Sequence, residues 1–205
     1  MTLKNIHYLS GLLLAVFIGI HLLNHLSALI NIETHIHLMQ TFRLFYRNIF
    51  VETALLLAVG FQIISGWVLF RRTRKEANSF FEKLHIWSGL YLAFFFTLHV
   101  SAVMVGRLLL HLDTNFYFGA AGINTFPFCL FFVPYYATAI LSFFAHIASV
   151  HHKRMTKSVL GVSPQKQSVM LLILGVFVTV LILYGMSNRL RGIVLPEEYK
   201  MMVGK

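Results

Sequence analysis

Five stretches of the chain are apolar almost without interruption, at residues 8–30, 49–70, 84–105, 126–150 and 169–186, and the charged residues fall between them. Each stretch meets or approaches the roughly 20 residues an α-helix needs to cross a bilayer core. Strand edges leave backbone groups unpaired in lipid, and the stretches are continuous rather than alternating, so helices are the predicted elements. The pattern predicts an all-α, polytopic membrane protein, a bundle of five transmembrane helices filling residues 1–186. A C-terminal tail, 187–205, carries Pro196, Glu197 and Glu198 and is amphiphilic enough to lie along the headgroups. The first stretch is read as a membrane helix rather than a signal peptide, because it is long, carries His21, Asn24 and His25, and lacks a small-residue cleavage site. Pro127 and Pro134 are expected to adjust the entry of the fourth helix and to kink it.

Composition sharpens this picture. Of 205 residues, 58% are hydrophobic and only 12% charged, with a mean hydropathy of +0.74, which excludes an ordinary soluble domain or a disordered chain. A net charge of +10 would point to a polyanion in a soluble protein. Here it is expected to face anionic headgroups, with no role for nucleic acid. Placing the N-terminus inside puts ten cations on the inner side (Lys4, Arg71, Arg72, Arg74, Lys75, Lys83, Lys153, Arg154, Lys157 and Lys166) against seven outside (Arg43, Arg47, Arg107, Arg189, Arg191, Lys200 and Lys205). The positive-inside rule then predicts an N-in integral protein, of the kind expected in a bacterial cytoplasmic membrane. The single cysteine, Cys129, excludes an internal disulfide framework and any cysteine-based zinc or iron–sulfur site within the chain.

Eleven histidines remain to be explained, because imidazole is costly in hydrocarbon. The segment from His7 to His21 aligns without a gap to the segment from His85 to His99, with eight of fifteen positions identical. Leu, Ala and Phe identities are cheap in membrane helices. Ser10-Gly11 against Ser88-Gly89, and both histidines, are not. The match predicts a duplicated two-helix unit. Fourteen residues leave the two histidines of a helix about 40° apart in azimuth and about 21 Å apart along the axis. The first and third spans run parallel, so His7 is level with His85, and His21 with His99. Two such pairs facing one bundle interior are what two stacked bis-histidine haems require. Gly11 and Gly89, one turn after the first histidine of each helix, are expected to let a flat macrocycle approach the backbone.

The His-x-x-Ser-Gly pattern followed by a second histidine fourteen residues on resembles the transmembrane b-type cytochromes, the haem-bearing subunits of respiratory and ferric-reductase-type oxidoreductases. The resemblance covers the first four spans. The five-helix size is similar to the cytochrome b anchor of succinate dehydrogenases and fumarate reductases. That anchor spreads its ligands over four helices, whereas the second and fifth spans here contain no histidine. What the resemblance implies is haem b as cofactor, two expected and one if only His21 and His99 ligate, and electron transfer to or from a quinone. No loop is long enough for a flavin or nucleotide domain. The chain therefore reads as an electron-transfer subunit needing a partner redox subunit, not as a complete enzyme.

Other residues compete for these roles. His25 lies one turn beyond His21, and His146 on the fourth span should reach the level of His7 and His85. His151 and His152 read as a solvated helix end, and His35, His37 and His111 as loop residues outside the core. Arg71, Arg72, Arg74 and Lys75 with Lys4 and Lys83, or Arg43, Arg47 and Arg107 at the other face, are candidates for haem propionates. Glu52 is the one acid within a span, a candidate for proton exchange with a quinol or for a capping position. Trp67, Trp87, Tyr135 and Tyr136 read as packing and interface anchors. Two other function classes stay open. A membrane di-iron oxidase or desaturase is suggested by His21-x-x-x-His25 and His151-His152, though such enzymes gather about eight histidines at one face. A haem-free anchor or small transporter would make the fourteen-residue spacing accidental; inverted transporter repeats need an odd number of helices per unit, and this unit has two.

Overall fold

The computed structural model describes residues 2–204; Lys205, counted above among the tail cations, lies outside them. The described residues form eight α-helices in the order α1 (Leu3–Leu26), α2 (Ile32–Tyr46), α3 (Ile49–Thr73), α4 (Phe80–Leu108), α5 (Phe116–Ile123), α6 (Cys129–Arg154), α7 (Pro164–Met186) and α8 (Glu197–Lys200). Five of them, α1 with the helical turn Ser27–Leu29 that extends it, α3, α4, α6 and α7, are long and apolar enough to cross a membrane. These are the five predicted spans with shifted ends: α6 starts at Cys129, three residues later than expected, and runs on to Arg154, while α1, α3, α4 and α7 start no later than expected.

Short polar residues start the helices. Thr2, Asn31, Asn48, Asn115 and Ser163 each accept a backbone N–H of the first turn, satisfying a donor the helix cannot. Ser79 and Glu82 make a reciprocal capping box at α4. Pro134 is carried within α6, which continues through it. The α6–α7 connection turns at Leu160 and Gly161, both at positive φ, between a bridge of Val159 and Val162.

The five long helices close into a ring: α1 packs on α3, α3 on α4, α4 on α6, α6 on α7, and α7 on α1. Across the ring no Cα of α1 comes within 8 Å of α4 or α6, and the same holds for α3 with α6 or α7 and for α4 with α7. Large apolar side chains such as Leu12, Val16, Leu57, Ile64, Phe94, Leu130, Ile173 and Phe177 lie exposed on the outside, as a lipid-contacting surface requires. Ser65, Ser88, Asn24 and Thr179 are buried. α1 and α4 run parallel, which brings the corresponding positions of the repeat to common levels.

The two ends differ. At the N-terminal end the connections are short. At the far end α2, α5 and α8 form a cap, and the best-packed apolar cluster lies beneath it, joining Leu22, Phe116, Ile123, Ile140, Val178 and Met186. Part of the tail folds back here rather than lying along the headgroups: Tyr199 is fully buried and donates to the carbonyl of Asp113 at 2.8 Å. Arg43 pairs with Asp113 at 2.7 Å, and Arg189 donates to the carbonyls of Leu29 and Ile30, tying α2, α5 and the end of α7 together.

Candidate functional site: two levels of histidine inside the ring

At the far level, α1 supplies His21 and His25, and α4 supplies His99 from across the ring. The His21 and His99 ring centroids are 6.3 Å apart at 65°. Phe17 stacks on His21 and Phe95 on His99, the latter at 4.9 Å and 13°. Phe17 and Phe95 occupy the same position of the repeat, so a phenylalanine identity that the sequence alone made cheap is the one that fixes each imidazole plane. The Nε2 atoms of His25 and His21 are 3.2 Å apart, and Nδ1 of His25 is 3.3 Å from Nε2 of His35.

His35 corrects the expectation of a loop residue. It sits on the helix α2, is 1% exposed, and stands 3.3 Å from the Asn24 amide. Burial is the first cause, and the charges of His21 and Arg43 further causes, holding its imidazole far below the ordinary range, at about 4. His37 is exposed on α2, not in a loop, and His111 is exposed beyond the end of α4.

The N-terminal level holds His7, His85 and His146. His7 Nδ1 lies 2.8 Å from Ser65 Oγ of α3. The Ser65 hydroxyl donates its own proton to the carbonyl of Phe61, so it accepts from His7. His146 does reach this level: its Nδ1 donates to the carbonyl of His85 at 3.2 Å and lies 3.4 Å from Ser88 Oγ. Its ring stacks on His85 with centroids 4.2 Å apart and planes 22° apart.

These bonds give the His-x-x-Ser-Gly pattern a physical meaning. On α1, Gln62 of α3 donates to the carbonyl of His7 and to Ser10 Oγ at 2.8 Å, and a Cβ on Gly11 would stand 3.1 Å from its amide nitrogen. On α4, His146 occupies the same place over His85, Ser88 and Gly89, where a Cβ would stand 3.0 Å from its ring. The motif is a notch for an N–H donor of the next helix: glycine supplies room, while the histidine carbonyl and serine hydroxyl supply acceptors. Where the sequence pattern left room at Gly11 and Gly89 for a macrocycle, the structure places a side chain, Gln62 in one notch and His146 in the other. Gln62 and Ser65 were not apparent as functional residues. An amide in a membrane helix was the signal for Gln62, whereas Ser65 gave none.

The charged residues divide by face. At the far end Arg107 pairs with Glu52, Arg43 with Asp113, and Arg47 donates to Thr114 at 3.1 Å. Glu52 is thus an ion-pair partner between α3 and α4. At the N-terminal end the ten cations meet only Glu76 and Glu82, and among the described residues none forms an ion pair. Arg154 lies over the Tyr8 ring at 3.7 Å, and Lys4 and Arg72 border a cleft of about 470 Å³ between α1 and α3. His151 bonds Gln167 of α7 at 2.8 Å and His152 stacks on Phe81 at 4.1 Å, so both are half-buried ties between helices rather than a solvated end. Among the described residues no three His, Cys, Asp or Glu side chains converge as a metal-ion site.

No protein family matches the chain, and no curated protein or solved structure is significantly similar to it.

Proposed function

We propose that the chain is a b-type haem cytochrome of the membrane, an electron-transfer subunit that passes electrons between a quinone and a partner redox subunit. The observation that carries this reading is the placement of imidazoles at two depths on the inside of a helix ring whose outside is apolar. The far level fits the group. A metal held by two imidazoles at about 2.0–2.1 Å each keeps the ring centroids of opposed ligands about 6 Å apart, and His21 and His99 stand at 6.3 Å from helices that do not touch. Phe17 and Phe95 hold the two planes. His21 would hold the iron through Nε2, the nitrogen that now stands 3.2 Å from His25, and His25 would stay braced by His35. The N-terminal level supplies ligands for a second haem from His7, His85 and His146.

When bound, the haem iron supplies a one-electron couple; holding and insulating it falls to the chain. Arg43 and Arg107 are already engaged by Asp113 and Glu52, so the cations Lys4 and Arg72, which form no ion pair among the described residues, are the better partners for propionates. A quinone would meet the ring at the apolar groove of about 420 Å³ between α3 and α4, bordered by Trp67, Leu90, Phe94 and Thr97. The cation-rich N-terminal face favours an N-in orientation in a bacterial cytoplasmic membrane.

The test is a reduced-minus-oxidised spectrum of the detergent-purified protein with haem counted per chain. Two b haems are expected, and His99→Ala should remove the far one. Folded protein without haem would overturn the reading and leave the haem-free anchor or the di-iron enzyme. Normal haem content in His99→Ala would discard the far ligand pair.

A further inference from the structure

Resting on the haem reading above, we infer that the axial ligands of the N-terminal level are His7 and His146, and that His85 is a positioning residue rather than a ligand. A metal-bound imidazole characteristically donates its other ring N–H to a fixed acceptor, which sets the tautomer and aims the free lone pair. His7 and His146 meet that condition. Ser65 Oγ, its own proton committed to Phe61, accepts from Nδ1–H of His7. The carbonyl of His85, which can only accept, takes Nδ1–H of His146. In both rings Nε2 is then the unprotonated nitrogen, without a hydrogen-bond partner among the described residues. Among the described residues neither ring nitrogen of His85 has a hydrogen-bond partner; its ring is held only by stacking on His146.

Placement agrees. Axial ligands oppose each other end-on across a metal, with their nearest nitrogens about 4 Å apart. His85 and His146 instead lie face to face, 4.2 Å between centroids, on helices in direct contact, a geometry that leaves no space for a plate between them. His7 and His146 come from α1 and α6, helices that have no Cα pair within 8 Å, so a plate between them is not blocked by direct helix packing.

The repeat supplies the logic. Each two-helix unit contributes one ligand to this level. In the first, the notch over Gly11 is filled by Gln62, which cannot ligate haem iron as imidazole does, and the ligand is His7. In the second, the notch over Gly89 is filled by an imidazole, and His146 takes the role while His85 becomes the surface that holds its plane.

The experiment is haem stoichiometry and redox titration of single variants of the whole chain in detergent. His146→Ala should lower the haem-to-chain ratio from two to one, the remaining haem keeping its wild-type spectrum and reporting a folded ring. His85→Phe, which keeps a stacking surface, should retain two. His146→Met should raise the midpoint potential of one haem, as histidine–methionine ligation does, while His85→Met leaves both potentials in place. Loss of a haem in His85→Phe with two retained in His146→Ala overturns the inference. A wild-type chain with one haem, insensitive to His7 and His146, also overturns it. A wild-type chain with no haem at all instead overturns the proposed function, so the two failures are distinct.

Discussion

Replacing Ser65 by Ala removes one oxygen from the interior and leaves the helix intact, since alanine is the better helix former. Ser65 is 2% exposed and is the acceptor for Nδ1–H of His7 at 2.8 Å. Without it that N–H is left in a half-buried site without a partner, at a cost of about 1–3 kcal/mol. The ring also loses its fixed tautomer and orientation. At 1.4 kcal/mol per factor of ten this weakens a bond made through Nε2 by about 5- to 150-fold, the range in which loss of such an orienting partner weakens metal sites. The assay is transfer of haem from the detergent-solubilised protein to an excess of a haem-scavenging globin. Ser65→Ala should release one of two haems about 10- to 100-fold faster, and Ser65→Thr, which restores the hydroxyl, should recover most of the loss. Release at the wild-type rate from both sites of Ser65→Ala refutes the claim that this bond aims His7.

Two further perturbations test the frame around the site. A Cβ on Gly175 of α7 would stand 2.5 Å from the Phe144 Cβ of α6, so Gly175→Ala should destabilise the ring by about 1–3 kcal/mol and lower the melting temperature in detergent by several degrees; an unchanged melting temperature removes that contact from the packing. Burial keeps His35 uncharged, with a folded-state value of about 4 against 6.5 when exposed, so unfolding takes up a proton between these limits. Stability should therefore be flat above about pH 6.5 and fall by up to about 1.4 kcal/mol per unit as the pH drops towards 4; a His35→Phe variant with the same acid slope assigns that slope to other groups.

The five spans were legible because a run of twenty apolar residues admits one solution in lipid. The cap was not. α2 is amphipathic and charged, with Glu33 and Arg43 in it, and α5 has only eight residues, so neither gives the continuous signal that marks a span. Asn31 ahead of Glu33 was the available start signal for α2, and missing it left His35 in a loop. Within the ring, the repeat put His21 and His99 at one level because parallel helices preserve level. It could not show which imidazole at the N-terminal level turns inward, because that depends on Ser65, Gln62 and the carbonyl of His85, two of them ordinary side chains and one a backbone atom. The side chains over Gly11 and Gly89 were hidden for the same reason: a gap in a helix surface is visible in sequence, and what fills it is not.

α7 carries no histidine and none of the notches, yet among the five long helices it alone joins α6 back to α1. It also follows the other four in the chain, so it is synthesised after them. Until it inserts, α1, α3, α4 and α6 form an open arc with a lateral gap between the first and the fourth. Assembly thus has a built-in order: the ring interior is open sideways to the bilayer until α7 arrives, and its docking on α1 and α6 shuts that side.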